Sequence, residues 1–383
     1  MGPLKGYVIV ELAGIGPAPF AGMLFADMGA TVIRVERREA ADLGLPGKEP
    51  KFDVLGRGRQ SIAVDLKTPA GIEVVKRLAT KADALIEGFR PGVIERLGIG
   101  PEVLLAHNPK LVIGRMTGYG QAGPMADRAG HDINYISLAG VLHAVGRKGQ
   151  APVPPLNLVG DFGGGGMFLA FGVVAALLEA SRSGTGQVVD AAMVDGAAYL
   201  MAMMYGMRSG GQWRDERGVN VLDTGAPFYD VYETADGKWL AVGAIEARFY
   251  RALLEGLGLA GEALPRQHDS KRWHELRERF AAVIKTKSRD AWAEVFAMSD
   301  ACVTPVLALD EVARHPHMAA RRTLEMRDGV MAPAAAPRFS RTPGAAGKPA
   351  TAPGTDTNAV LARFGFSAAE IDDLGQRGVI GAS

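Results

Sequence analysis

Two textures of apolar residues alternate along the first third of this chain. Short, largely apolar runs at Tyr7 to Leu12, Thr31 to Glu36, Ser61 to Asp65, Ala84 to Glu87 and Leu111 to Met116 have the length and β-branched content of buried strands. Between them, helical spacing predicts helices over Ala18 to Met28, stopped at Gly29, and over Gly71 to Thr80. Strand and helix in alternation make βαβ units, and several in series predict a doubly wound α/β domain with a parallel sheet. The polar stretch Glu39 to Arg59, rich in Gly, Lys and Arg, reads as an exposed loop, placed where such folds bind ligands.

Further along, the spacing from Asp132 to Val145 is helical, with His131 at or just before its start. A second helix follows the glycine run Gly163 to Gly166, and a third follows a strand at Gln187 to Asp190. The texture then changes. Phe228 to Thr234 and Lys238 to Gly243 read as a hairpin turning at Asp236-Gly237, and helices follow over Glu246 to Leu257, Trp273 to Thr286 and Arg289 to Met298. A Pro/Ala/Gly-rich linker, Ala332 to Gly354, leads to helices at Asp356 to Phe364 and Ala368 to Leu374, which are expected to pack back on the first domain. The reading is thus α/β, with a large Rossmann-like domain over 1–191 and 336–383, linkers over 192–222 and 308–335, and a small α+β domain over 223–307. No internal repeat is present.

Composition narrows the class. The 383 residues are 48% apolar and 22% charged, enough for sizeable cores in a globular protein. A net charge of +1 supplies no global field for nucleic acid or an anionic membrane, so an anion site must be local. The apolar run Met167 to Leu178, ended by Glu179, is too short to span a bilayer and reads as a buried helix. A single cysteine, Cys302, excludes an internal disulfide and a multi-thiolate metal site. No cleavable leader precedes Tyr7, and Gly381-Ala382-Ser383 is not a peroxisomal tripeptide, which makes a cytoplasmic protein the expectation.

Candidate chemistry sits at predicted turns. Gly14-Ile15-Gly16-Pro17-Ala18-Pro19 follows a strand and opens a helix, but Pro19 stands where a dinucleotide fingerprint needs its third glycine, so a helix start is the better reading. Arg37, Arg38, Arg57, Arg59, Lys67 and Arg90 cluster near predicted strand ends. Arg37, Arg38, Lys67 and Arg90 follow strands whose ends meet on one side of the sheet, where they suit a multiply charged phosphate ligand. His131 at a helix start is favoured as a neutral base, although such histidines also serve as caps. Asp161 precedes four glycines that cost backbone entropy unless something approaches closely, and an N-cap is its bland alternative. Glu246 begins a helix and reads either as a simple first-turn acid or as a partner that orients an imidazole, a choice that sequence spacing does not make. Cys302 has no base beside it and reads as a buried structural thiol, while Met201, Met203, Met204 and Met207 form a helical patch that reads as core filler or, alternatively, as a pliable wall.

The ordered segments Val10-Glu11-Leu12-Ala13-Gly14, Ala26-Asp27-Met28-Gly29-Ala30, Leu55-Gly56-Arg57-Gly58, Ala63-Val64-Asp65-Leu66-Lys67 and Phe89-Arg90-Pro91-Gly92-Val93 resemble the family III CoA-transferase superfamily. Within it, Gly130-His131-Asp132-Ile133-Asn134-Tyr135, Pro155-Leu156-Asn157-Leu158, Asp161-Phe162, Gly225-Ala226-Pro227-Phe228-Tyr229, Ala244-Ile245-Glu246 and Asp300-Ala301-Cys302-Val303-Thr304-Pro305 resemble the α-methylacyl-CoA racemases. The resemblance runs from Leu4 to about Pro343. It implies that His131 and Asp161 are the two α-carbon bases, that Glu246 pairs with the histidine, and that Arg37, Val64, Asp65, Leu66, Lys67, Arg90 and Gly130 to Tyr135 hold the CoA ester.

It also implies an interlocked homodimer in which Glu246 comes from the partner chain. The chain departs from its relatives at Ala247-Arg248, where they usually carry Pro and Gln, and in the loop Ala40 to Lys51. The activity expected is interconversion of (2R)- and (2S)-2-methylacyl-CoA thioesters, with CoA entering as part of the substrate and no further cofactor or metal. The alternative is a family III CoA transferase using Asp161 as nucleophile. The expected partners are the acyl-CoA and a second copy of the chain, with no nucleic acid and no membrane.

Overall fold

The computed structural model describes residues 2–37 and 49–381, which fall into two compact units. The first comprises Met1–Ala139, Leu156–Leu200 and Ala320–Ser383, and the second Gly140–Pro155 and Met201–Ala319.

In the first unit the expected strands form within one residue at each end. They are β1 (Val8–Leu12), β2 (Thr31–Glu36), β3 (Gln60–Val64), β4 (Ala84–Glu87) and β5 (Val112–Thr117), joined by β6 (Val188–Ala192). All six are parallel, in the order β3-β2-β1-β4-β5-β6, and the short strand Ile380–Gly381 adds antiparallel to β3. The strand order reverses between β1 and β4. Connections there leave to opposite sides, and the gap at the carboxyl ends is where open α/β sheets bind ligands. One face is covered by the helices Pro69–Ala79, Thr357–Arg363 and Ala368–Gln376 through Val74, Leu78, Val360, Leu361, Ile371 and Leu374. The other is covered by Pro17–Asp27 and Met167–Ser183 through Ala21, Phe25, Leu169, Val173 and Leu177. Burying a side chain of this size contributes about 1.5–3 kcal/mol, so both layers drive folding.

Several sequence expectations need correction. Arg57 and Arg59 are not surface cations of an exposed loop. Arg57 donates to both carboxylate oxygens of Asp27, with Nε at 3.1 Å from Oδ1, and to the carbonyl of Pro333, while Arg59 pairs with Glu11; all four side chains are buried. The partners lie 30 and 48 residues away, so local charge clustering could not reveal them. Residues 49–59 carry two short 3-10 turns, while Arg38 and residues 39–48 of that loop lie outside the described residues. Glu11→Gln keeps the shape and a hydrogen bond but removes the countercharge of buried Arg59. A loss of about 2 kcal/mol is expected in denaturant unfolding, and an unchanged midpoint would refute it.

The Ala332 to Gly354 stretch is not a free tether. Leu324–Arg327 and Val330–Pro333 pair as a hairpin, and the following segment is tied down by Ala345 N–H to Asp27, Gly58 N–H to Lys348 and Gly354 N–H to the Ser61 hydroxyl. The apolar helix is also longer than expected, because the segment Leu158–Gly166 is itself helical, in π form, and continues into Met167–Ser183. By length and apolarity the 26 residues would suffice to cross a bilayer. Its inner face instead packs on β5, where Gly114 lets Leu169 and Val173 approach closely. The helix expected over Asp132 to Val145 is two pieces, Asp132–Leu138 and Val141–Ala144, separated at Gly140 with φ +78°.

The second unit contains a three-stranded antiparallel sheet in the order β7 (Tyr229–Glu233), β8 (Trp239–Gly243), β9 (Val303–Pro305). Its hairpin turns at Asp236-Gly237, Gly237 taking φ +73°. The helices Ala247–Leu257, Trp273–Ile284 and Arg289–Phe296 pack on it around Phe228, Leu240, Phe280 and Trp292.

Candidate active site

His131 is presented by the fold of the chain between β5 and the helix Asp132–Leu138. The Tyr135 ring packs so closely on Gly118 that no side chain fits there, and Tyr119 meets it edge-on at 4.9 Å. The Tyr135 hydroxyl donates to the Gly130 carbonyl, which closes the turn ahead of His131. Burial pushes the Tyr135 phenol up to about 12, helped by Tyr119 and Asp161 and opposed by Arg90, so it remains a donor. His131 N–H donates to Asn134 Oδ1 at 3.0 Å, and its carbonyl accepts from Asn134 N–H at 2.8 Å. The backbone is thus fixed while the imidazole stays exposed.

Asp161 lies inside the π-helical segment, which excludes the N-cap reading. One carboxylate oxygen accepts from the Asn157 amide at 3.0 Å, and Gly16, at φ +71°, comes so near that a Cβ there would sit 3.3 Å from it. Burial raises the proton affinity of Asp161 above the usual carboxylate range. The Asn157 hydrogen bond opposes this, the Asp132 charge adds to it and His131 reduces it. The structure therefore brings His131 and Asp161 into electrostatic reach within one unit. Asn157, Gly16 and Gly160 were not named as site residues from the sequence: Gly16 was read only as part of a helix start, and Asn157 only as part of a segment that carries the resemblance.

The glycine run has a packing reason. A side chain on Gly164 would meet the backbone nitrogen of Ala197 at 2.5 Å, and one on Gly196 would run into the Gly164 carbonyl. Gly165 faces Met193 and Pro17, and Gly166 faces Phe20, whose ring lies 4.9 Å from that of Phe162. The glycines let two helices, Pro17–Asp27 and Met193–Leu200, close on the segment that carries Asp161.

Arg37, Lys67 and Arg90 follow β2, β3 and β4 and are exposed; among the described residues none of the three forms an ion pair. They stand on the carboxyl side of the sheet, with Arg90 after the strand that borders the β1/β4 reversal and Arg37 and Lys67 one and two strands beyond β1. Val64 is a core side chain, and Asp65 accepts the Lys67 N–H at 2.9 Å to shape the turn. Asp132 and Tyr135 are buried, whereas Ile133 and Asn134 are exposed. In the second unit, Glu246 is exposed at the start of Ala247–Leu257. Cys302 is not buried as expected: it is exposed, at φ +53°, and partial desolvation together with the Glu246 charge pushes its thiol up.

Residues 4–357 match the family described as CoA-transferase family III. The chain is 48% identical over 374 residues to the α-methylacyl-CoA racemase of Mus musculus, covering 97% of this chain and 96% of that protein. It is 44% identical to the α-methylacyl-CoA racemase of Homo sapiens, covering 98% and 97%. Among solved structures it is similar to a CAIB/BAIF family protein from Brucella suis, with a TM-score of 0.81 at 26% identity, covering 95% and 99% of the two chains. With a family match spanning most of its length and racemases aligned end to end, the chain belongs to CoA-transferase family III.

Proposed function

We propose that this chain is an isomerase that interconverts (2R)- and (2S)-2-methylacyl-CoA thioesters, an α-methylacyl-CoA racemase. The observation that carries the reading is the pair His131 and Asp161, an exposed imidazole beside a carboxylate of raised proton affinity. It is supported by the racemases to which the chain is 48% and 44% identical.

One base breaks the α-C–H bond, the electron pair moves into the thioester carbonyl to give an enolate, and the conjugate acid of the other base returns a proton to the opposite face. The N–H groups of Asp132 and Ile133, at the open start of their helix, suit the developing oxyanion. No cofactor beyond the CoA of the substrate enters this chemistry. Arg37, Lys67 and Arg90 hold the phosphates. Replacing Lys67 or Arg90 with Ala is expected to raise KM about tenfold, the equivalent of one lost charge-assisted contact, with little change in kcat and a weaker dependence on salt.

In this reading Glu246 orients the imidazole of the partner in a homodimer. A supporting feature is the outward stripe Met167, Phe171, Val174 and Leu178, continued by Tyr199 and Leu200, all exposed large apolar side chains. Sedimentation that gives a monomer at micromolar concentration would remove this part.

The test is to incubate one epimer of 2-methyloctanoyl-CoA with the protein in D₂O and follow the α-proton and the configuration by NMR. Deuterium uptake with appearance of the other epimer is expected. Transfer of CoA to an added carboxylic acid without such exchange would move the assignment to the transferase that uses Asp161 as nucleophile.

A further inference from the structure

Asp132 directly follows His131, yet its side chain is buried where that of His131 is exposed. One carboxylate oxygen, Oδ2, accepts two backbone hydrogen bonds, from Gly160 N–H at 2.7 Å and from Asp161 N–H at 2.8 Å. The approach is close enough that a Cβ on Gly160 would lie 2.5 Å from that oxygen. The other oxygen, Oδ1, is buried with no partner. A buried carboxylate with an unmatched oxygen is costly, and a neutral acceptor would satisfy the same two donors without a charge to bury. The charge sits at the first position of a helix, whose open N–H groups reduce that cost.

We propose that Asp132 is a positioning residue for the two bases, one that fixes their spacing and sets the protonation of Asp161. The inference rests on the racemase reading. Through the backbone Asp132 is joined to His131, and through the two hydrogen bonds it holds the main chain of Asp161, so the backbone segments that carry the two bases are tied to each other. The two-base reaction needs this, since both must address a single carbon from opposite faces, and displacement by about 1 Å costs on the order of a hundredfold in rate. Its charge acts on Asp161 directly. The titratable groups facing that carboxylate are Asp132, His131 and Tyr135, with neutral Asn157 and Gly16 on the remaining sides. Among these, Asp132 is the anion that favours a proton on Asp161.

The test uses the full-length protein and two variants. Asp132→Ala removes the acceptor and is expected to lower kcat for α-deuterium exchange about a hundredfold, with KM for 2-methyloctanoyl-CoA changed less than about threefold. Asp132→Asn keeps an acceptor and loses the charge. It is expected to retain activity within about tenfold, and for the epimer deprotonated by Asp161 the acid limb of kcat/KM should move to lower pH, because the carboxylate then persists into more acid solution.

Alanine activity within about threefold of the parent, or an unmoved acid limb in the asparagine variant, would overturn the proposal. If the alanine variant fails to fold, the pH profile of the asparagine variant decides. If the parent protein exchanges no α-proton at all, the racemase reading fails by itself. Amide hydrogen exchange then judges the clamp, which requires Gly160 and Asp161 N–H to lose protection in the alanine variant and is refuted if they keep it.

Discussion

Alanine at His131 is expected to end interconversion of the two epimers, a loss of at least about a thousandfold, while deuterium still enters one of them without inversion. The reasoning follows from the two faces of the α-carbon. With the imidazole gone, Asp161 still removes the proton that points towards it, and, once that proton has exchanged with D₂O, the same carboxylic acid returns a deuteron to the same face. The epimer whose proton pointed to His131 becomes inert. Asp161→Asn should give the mirror image, since asparagine still accepts from Asn157 but takes no proton. Each variant is incubated with each epimer separately in D₂O, and label and configuration are read by NMR.

A nucleophilic Asp161 makes a different pattern: replacing His131 would leave transfer intact, and Asp161→Asn would abolish everything. Near-parental epimerisation by the alanine variant at position 131 would remove the two-base assignment altogether. Retention of exchange on opposite epimers in the two variants is the outcome that no single-base mechanism reproduces.

What the sequence could and could not disclose follows from the range of the interactions involved. Strands β1 to β5 were legible because each is buried on both faces and its apolar run is local. His131 and Asp161 stood out through neighbouring residues, His131 through a helix start and Asp161 through its glycines. The reason for those glycines was not legible, because the atoms they must clear belong to Pro17, Phe20, Met193 and Gly196, distant in the chain. Asp132 was read as part of the CoA-holding segment, whereas its side chain bonds the backbone 28 and 29 residues further on. Arg57 and Arg59 looked like Lys67 and Arg90 in sequence, and only the buried carboxylates of Asp27 and Glu11 separate the two kinds. Cys302 misled in another way: it was read as buried because no base stands beside it in the sequence, but it is exposed, at a positive φ.

The helix contact beneath Asp161 yields the second large effect. In Gly196→Ala the new methyl group meets the carbonyl, Cα and carbonyl carbon of Gly164, all backbone atoms that no rotamer change can clear. The helices Leu158–Gly166 and Met193–Leu200 must therefore part. Forced overpacking of this kind costs about 3 kcal/mol, to be read as a lowered midpoint in urea unfolding. Gly375, also in a helix but with open space around it, is the control: alanine there should gain about 0.5–1 kcal/mol from helix propensity alone.

The two measurements on Gly196→Ala are linked. Asp161 precedes Gly164 by less than one helical turn, so a shift that relieves the clash moves the Gly160 and Asp161 amides relative to the Asp132 carboxylate that accepts from them, and the Asp161 carboxylate with them. In the fraction that remains folded, α-proton exchange should fall by on the order of a hundredfold while KM stays near the parental value, because Arg37, Lys67 and Arg90 lie on other elements. Lost stability with unchanged kcat would mean that the segment gives way away from Asp161, and that the glycine run serves packing without setting the geometry of the base.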